Sequence, residues 1–445
     1  MTKHPILVFT LVLILGLAAC TGGAAPTASD AAGDAAAEGG KQQVTISMWT
    51  HDQLYVDFFS DRAAVWEENY PDIEFIYDFQ QVPDVFTKVL ANLASGEPVP
   101  DLIGLEQGAF PRFMKDDIIA SKFVSLTDLI GGEREDFVEG RWTPYMHNGN
   151  IYGVESALSA TIYYYQPAIF EEYGLEVPTT WDEFLDVGEI LAQDGVAMLP
   201  MTNSSSYVLM FFLQRGGQFF DEQGNFVFGE EPNRTIALEV LQLLRAGLDS
   251  GMFHVALGGD FWGPPLFNAY AEGKLAGAIM PDWYSEAVLK PQAADMEGQW
   301  RVAPMPVWSD GKGHTTSVWG GTGFAITSES ENPELVWDLL HFSYMTKENQ
   351  ILRFEMIQYY PHMIEALNDP RISELTDPYY GDQAIGSVLA SVAEDTPIWY
   401  QSQFRDAFQT EFTAQLPAFF EGTTTDEELI DAVVEVTNKE IADYQ

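Results

Sequence analysis

Between residues 44 and 105 short apolar runs alternate with helix-periodic stretches, and that alternation leaves few folds open. Residues 44–49 have the two-residue period of a strand and stop at Thr50-His51-Asp52. Phe58, Phe59, Ala63, Val65 and Trp66 then recur at helical spacing until Tyr70-Pro71 ends the run. A second strand is predicted over 73–79. Phe86, Val89, Leu90 and Leu93 mark a second helix closed by Ser95-Gly96, and 100–105 is a short apolar strand. Strand, helix, strand, helix, strand predicts a parallel sheet with helices on its faces. Such sheets bind ligands where the loops converge at the carboxyl ends of the strands. His51, Asp52, Glu106 and Gln107 occupy those ends.

Strand-forming residues run without a breaker over 157–165. Beyond them Thr180 and Glu183 have the spacing of a capping box, in which Thr180 bonds the Glu183 amide and Glu183 bonds back. Trp181, on the first turn of that helix, is assigned to packing. Further strands are predicted over 197–201, 275–280 and 302–306, with helices over 208–214, 233–250 and 267–273. Asn203, Ser204 and Tyr207 belong to a polar loop directly after the strand 197–201, and Asp282 and Trp283 directly follow the strand 275–280. A return strand over 318–326 carries Trp319, Gly320, Gly321 and Gly323, glycines that permit close backbone approach or a bend. The remainder is predicted as helices over 333–344, 347–354, 361–368, 383–393, 401–420 and 426–442.

The 67 acidic residues outnumber the 21 Lys and Arg, giving a net charge of -46, which argues against nucleic acid or an anionic lipid surface as partner. At the amino end, Lys3 and His4 precede an apolar run over 6–17 that closes on Leu17-Ala18-Ala19-Cys20, the layout of a short secretory signal. The run is too short for an ordinary membrane-spanning helix. Leu-Ala-Ala-Cys looks like a bacterial lipobox, so residues 1–19 are expected to be a signal peptide and Cys20 a lipid anchor. Cys20 is the chain's single cysteine, which excludes an internal disulfide and a cysteine-based metal cluster. Residues 20–43 are almost entirely small and polar, the composition of a flexible tether.

The order of segments resembles the extracellular solute-binding proteins of ABC importers, family 1, the carbohydrate-binding group that includes the maltose-binding protein. The resemblance spans about 44–443. It rests on Ile46-Ser47-Met48-Trp49, Ala94-Ser95-Gly96 followed by Pro100-Asp101-Leu102-Ile103, and Asn148-Gly149-Asn150-Ile151-Tyr152-Gly153. It continues through Tyr163-Tyr164-Tyr165-Gln166-Pro167, Pro178-Thr179-Thr180-Trp181-Asp182-Glu183-Phe184, Glu272-Gly273-Lys274-Leu275 with Trp283, and Gly320-Gly321-Thr322-Gly323-Phe324. Tyr164-Tyr165-Gln166 stands where the family usually has Tyr-Asn-Lys, and Gly153-Val154-Glu155 where it usually has Gly-Leu-Pro. The resemblance implies an α/β, two-domain periplasmic-binding-protein fold of type II, with discontinuous domains joined by a hinge and the ligand cleft between them. One lobe is expected over 44–155 plus 318–362 and the other over 156–317 plus 363–445, with crossings near 155–159, 316–319 and 359–365. Closure around a bound sugar and delivery to permease subunits follow from the same resemblance. The protein is expected to work outside the cytoplasmic membrane, as a monomer without a cofactor or metal.

Sugars present hydroxyls and an apolar ring face, so their sites need carboxylates or amides together with flat aromatics. Trp283 and Trp399 match stacking positions of the family, and each is either a cleft residue or a packing residue; Trp319 has the same two readings. Asp52, His51, Glu106, Gln107, Asn203, Ser204 and Gly320 complete the candidate set with Tyr207. Glu155 is either a cleft acceptor or a hinge-side surface charge, and Asp282 binds ligand or caps a turn. A polyol or another solute is the second choice of ligand. A secreted glycoside hydrolase is the main rival class, yet no motif singles out a carboxyl pair, no His-Glu-x-x-His spacing occurs, and Gly-x-Ser-x-Gly is absent.

Overall fold

The computed structural model of the chain describes residues 41–444. The expected signal peptide, the expected lipid anchor on Cys20 and nearly all of the expected tether lie outside the described residues.

The alternation at the start builds strand β1 (Gln42–Thr50), helix α1 (Gln53–Trp66), strand β2 (Ile73–Gln81), helix α2 (Val85–Ser95) and strand β3 (Leu102–Glu106). β1 begins at Gln42, two residues before the strand was expected to start, because its backbone pairs with Ile73 on β2 although its side chain is exposed. The sheet order is β2, β1, β3, Thr322–Ile326, Val154–Glu155. The first three strands are parallel; the last two run antiparallel to their neighbours, with Phe324 opposite Gly104 and Val154. Val44, Ile46 and Met48 alternate inward on β1 and are buried with Phe58, Phe59 and Trp66 of α1. α2 ends on Gly96, whose φ of 73° is left-handed and accounts for the glycine there.

A second sheet is built on Thr161–Tyr165, flanked antiparallel by Gly277–Pro281 and Arg301–Ala303. Leu199–Met201 pairs parallel with Phe253–Val255, and the bridge from Ala197 to Leu275 adjoins them. The helix Trp181–Ala192 opens on the full capping box, with the Glu183 amide donating to Thr180 Oγ1 at 3.2 Å and the Thr180 amide to Glu183 Oε2 at 3.2 Å. Trp181 is buried and its Nε1 donates to Gln214 Oε1 at 3.0 Å, in keeping with packing.

The chain passes from the first sheet to the second between Glu155 and Thr161 and returns between Ala303 and Thr322. These passages lie side by side. Ser156 N donates to Thr322 O at 2.9 Å, Thr161 N to Ser317 O at 3.0 Å and Trp319 N to Ser159 O at 3.3 Å.

Three expectations need correction. The return strand is not continuous from 318: Gly320 and Gly321 have φ of 79° and 123°, so Val318 makes only a bridge to Ala160 before the strand starts at Thr322. The helix expected over 361–368 is a single turn, Ile364–Leu367. The residues before it are extended because Tyr360 O accepts from Leu158 N and His362 O from Val138 N, each at 2.9 Å. The helix expected from 401 begins at Arg405, since the Gln401 side chain is held by backbone carbonyls of Gln107 and Pro144 at 2.9 and 2.8 Å.

Candidate functional site

The carboxyl ends of β1 and β3 face the segment after Gly277–Pro281, and between them lies a cavity of about 240 Å³. Its wall combines His51, Asp52 and Glu106 from the first sheet with Trp283 from the second. Trp319 and Gly320 enter from the return passage, and Tyr359 closes one side. Six of the sequence candidates therefore meet around one space: His51, Asp52, Glu106, Trp283, Trp319 and Gly320.

Both carboxylates there are already oriented. Asp52 caps α1, with Oδ1 accepting from Leu54 N at 3.0 Å, while Oδ2 accepts from Tyr359 Oη at 2.9 Å. Glu106 Oε2 accepts from Gly108 N at 2.7 Å. Burial raises the Glu106 carboxyl above its ordinary range, and the nearby Arg405 guanidinium and the Gly108 amide only partly offset that. His51 is lowered, because burial outweighs the attraction of Asp52. Trp283 Nε1 donates to Trp319 O at 2.9 Å, which fixes one indole against the backbone that carries the other. Flat indole faces opposite carboxylates can stack on a sugar ring while accepting from its hydroxyls.

The other candidates lie elsewhere. Glu155, expected as a ligand acceptor or a surface charge, is fully buried and ion-paired with Arg141. Its Oε1 accepts from the amides of Ser156 at 2.7 Å, Ala157 at 3.3 Å and Thr322 at 2.9 Å, so no acceptor capacity faces the cavity. Gly321 is required beside this pair, since an added Cβ would collide with Arg141 Nη2 and Glu155 Oε2. Tyr207 is buried behind Trp319, their ring centroids 5.8 Å apart, and its hydroxyl donates to Pro200 O at 3.0 Å. Ser204 occupies the N-cap position of the helix Ser205–Gln214, and neither it nor Asn203 lines the cavity. Gln107 and Trp399 are buried and line a neighbouring void of about 30 Å³ that shares Trp319 and Gly320 with the cavity. There Gln107 O accepts from Gln401 Nε2 at 2.9 Å and Arg405 Nη1 at 3.0 Å, while Arg405 lies 5.1 Å from the Trp399 ring centre.

Asp282 is 2% exposed and acts through its neighbour: Oδ1 accepts from Trp283 N at 2.7 Å. Burial pushes its carboxyl up to about 7 against the Trp283 amide and Arg141. A proton is thus retained in the folded chain that the unfolded chain, with an ordinary value of 3.8, has lost. This contribution to stability is fully present below the unfolded value and fades as pH rises through about 7. Asp282→Asn is expected to be relieved of it. Urea unfolding of the two proteins should show their stability difference shifting toward the Asn variant as pH rises from about 4 to about 7.

Tyr55, Ser159, Thr322 and Tyr359 also line the cavity and were missed. For Tyr55 a signal existed, since it follows Asp52 on the first turn of α1; Tyr359 lies 307 residues from Asp52 in sequence, in the segment 359–365 that the resemblance gives as a crossing and not as part of the cavity wall. A larger cavity of about 450 Å³ beside Asp116, His147, Glu222 and Tyr400 is polar and holds none of the tryptophans. Among the described residues no group of three or more His, Cys, Asp or Glu is placed to hold a metal ion.

Two α/β sheets joined by paired passages, with loops of both around one cavity, define a two-domain periplasmic-binding-protein fold of type II. The chain belongs to the bacterial extracellular solute-binding protein family, which it matches over residues 50–350. It is 26% identical over 382 residues to the arabinooligosaccharide-binding protein of Halalkalibacterium halodurans, covering 83% of each chain. To the lactose-binding protein of Rhizobium radiobacter it is 25% identical, covering 86% of this chain and 90% of that one. Among solved structures, the sugar-binding protein MalE of Xanthomonas citri shares the fold with a TM-score of 0.73 at 18% identity, over 90% of this chain and 99% of that one.

Proposed function

We propose that this solute-binding protein is a non-catalytic receptor that captures an oligosaccharide and passes it to the permease of an ABC importer. The observation that supports this most is the pairing of Trp283 and Trp319 with Asp52 and Glu106 around one cavity between the two sheets. The oligosaccharide- and lactose-binding relatives support the ligand class. On this reading the lobes run over 44–155 plus 318–362 and 156–317 plus 363–445, apart from the two extra strand residues at Gln42 and Gln43. The residues of the third passage, 359–365, join the other two as the hinge. Closure brings the indoles onto the sugar ring and the carboxylates onto its hydroxyls, excluding water from both. Cys20 tethers the protein outside the cytoplasmic membrane, as a monomer.

Thermal unfolding against arabino-, galacto- and gluco-oligosaccharides, the corresponding monosaccharides and polyols tests the reading. A ligand at a hundredfold its dissociation constant should add about 2.7 kcal/mol of stability. If no sugar moves the melting temperature, the carbohydrate reading fails. Release of reducing ends from a glycoside would replace the receptor with a hydrolase.

A further inference from the structure

A third tryptophan stands just outside the cavity wall. Trp262 ends the short turn Gly258–Trp262, and its ring lies 6.4 Å from that of Trp283 with an interplanar angle of 28°, nearly parallel to it. Trp319 is 5.8 Å away at 48°, so the three indoles form one cluster. Unlike its two neighbours, Trp262 does not line the cavity, and at 37% exposed it is the one tryptophan among the exposed large apolar side chains of the described residues.

Its position is braced rather than loose. The adjoining Phe261 is buried, meets Trp262 edge-on at 4.9 Å and packs on Tyr207 at 5.2 Å. Gly263, Pro264 and Pro265 follow, and the prolines fix the start of the helix Pro264–Ala271. An exposed indole held in place by its own backbone has little conformational freedom left to lose when a ligand lies on it.

The cavity, at about 240 Å³, is smaller than the roughly 300–1,000 Å³ of pockets that enclose drug-sized ligands. A single sugar ring suits that space, and further rings of an oligosaccharide must lie beyond its mouth. We propose that Trp262 is a second stacking platform, outside the cavity, that binds the next ring of an oligosaccharide and so sets a preference for longer chains. This inference rests on the oligosaccharide reading.

Calorimetric titration of the wild type, Trp262→Ala and Trp262→Phe with arabino-, galacto- and gluco-saccharides of one to four units tests it. In the series that binds, the wild type should gain affinity from one unit to the longer chains. Trp262→Ala should lose about tenfold for the longer chains, ~1.4 kcal/mol, with the single unit unchanged within about twofold, and Trp262→Phe should recover part of the loss. An equal loss at every length would overturn the proposal and make Trp262 a support for Trp283, while the receptor reading stands. No loss at any length would overturn it as well. A wild type that binds none of these sugars overturns the oligosaccharide reading and this inference with it.

Discussion

Arg141→Met is expected to lower the unfolding free energy by about 3–5 kcal/mol, the range for removing one partner of a buried ion pair. Both side chains of the Arg141–Glu155 pair are inaccessible to solvent. The guanidinium also ties the passages together: Nη2 donates to Gly320 O at 3.0 Å and Nε to Ala157 O at 3.3 Å. Without it, Glu155 is left as a buried carboxylate held only by backbone amides and the Ser156 hydroxyl. Removing both charges separates the pair's own effect from that of an isolated charge. Glu155→Leu is the wrong second change, since the Ser156, Ala157 and Thr322 amides would lose their acceptor. Arg141→Met with Glu155→Gln keeps a carbonyl oxygen for those amides and should recover a large part of the loss. Urea midpoints, read with the slope of unfolding, measure both variants. A single variant within about 1 kcal/mol of wild type would mean that Glu155 is not held as an uncompensated charge once Arg141 is gone.

Local rules carried much of the fold. The capping box at Thr180, the left-handed glycine at Gly96 and the strand–helix alternation of β1 to β3 all depend on residues a few positions apart, and all appear where spacing predicts them. The strand-end argument likewise brought His51, Asp52 and Glu106 together, because parallel strands deliver their following loops to one edge. What stayed hidden depends on long-range packing. Nothing near Glu155 identifies Arg141 as its partner, and no pattern separates the buried Trp399 and Tyr207 from the partly open Trp283 and Trp319. Gly320 and Gly321 were legible as a place of close approach, but not as the interruption of a strand. Their left-handed backbone answers to the buried pair and to Trp283, whose Nε1 would lie 3.3 Å from a Cβ on Gly320.

Trp283→Ala is expected to weaken oligosaccharide binding by about ten- to a hundredfold, ~1.4–2.8 kcal/mol, while the protein still folds. The indole is only partly buried, so its removal should cost less than the roughly 3–5 kcal/mol of a core Trp→Ala change. The Trp319 carbonyl loses its donor, which adds a cost on the order of 1 kcal/mol. Trp283→Phe keeps a flat face without the N–H and should fall between the two proteins in affinity. Calorimetric titration gives the affinities and urea unfolding the stabilities, and collapse of the fold in the Ala variant would make Trp283 a core residue. The dependence on ligand length distinguishes this indole from the one outside the mouth. Trp283 lines the cavity that a ligand of any length must occupy. Its loss should therefore weaken a single sugar unit and a longer chain by the same factor, whereas the loss of Trp262 should be felt only by ligands long enough to reach it.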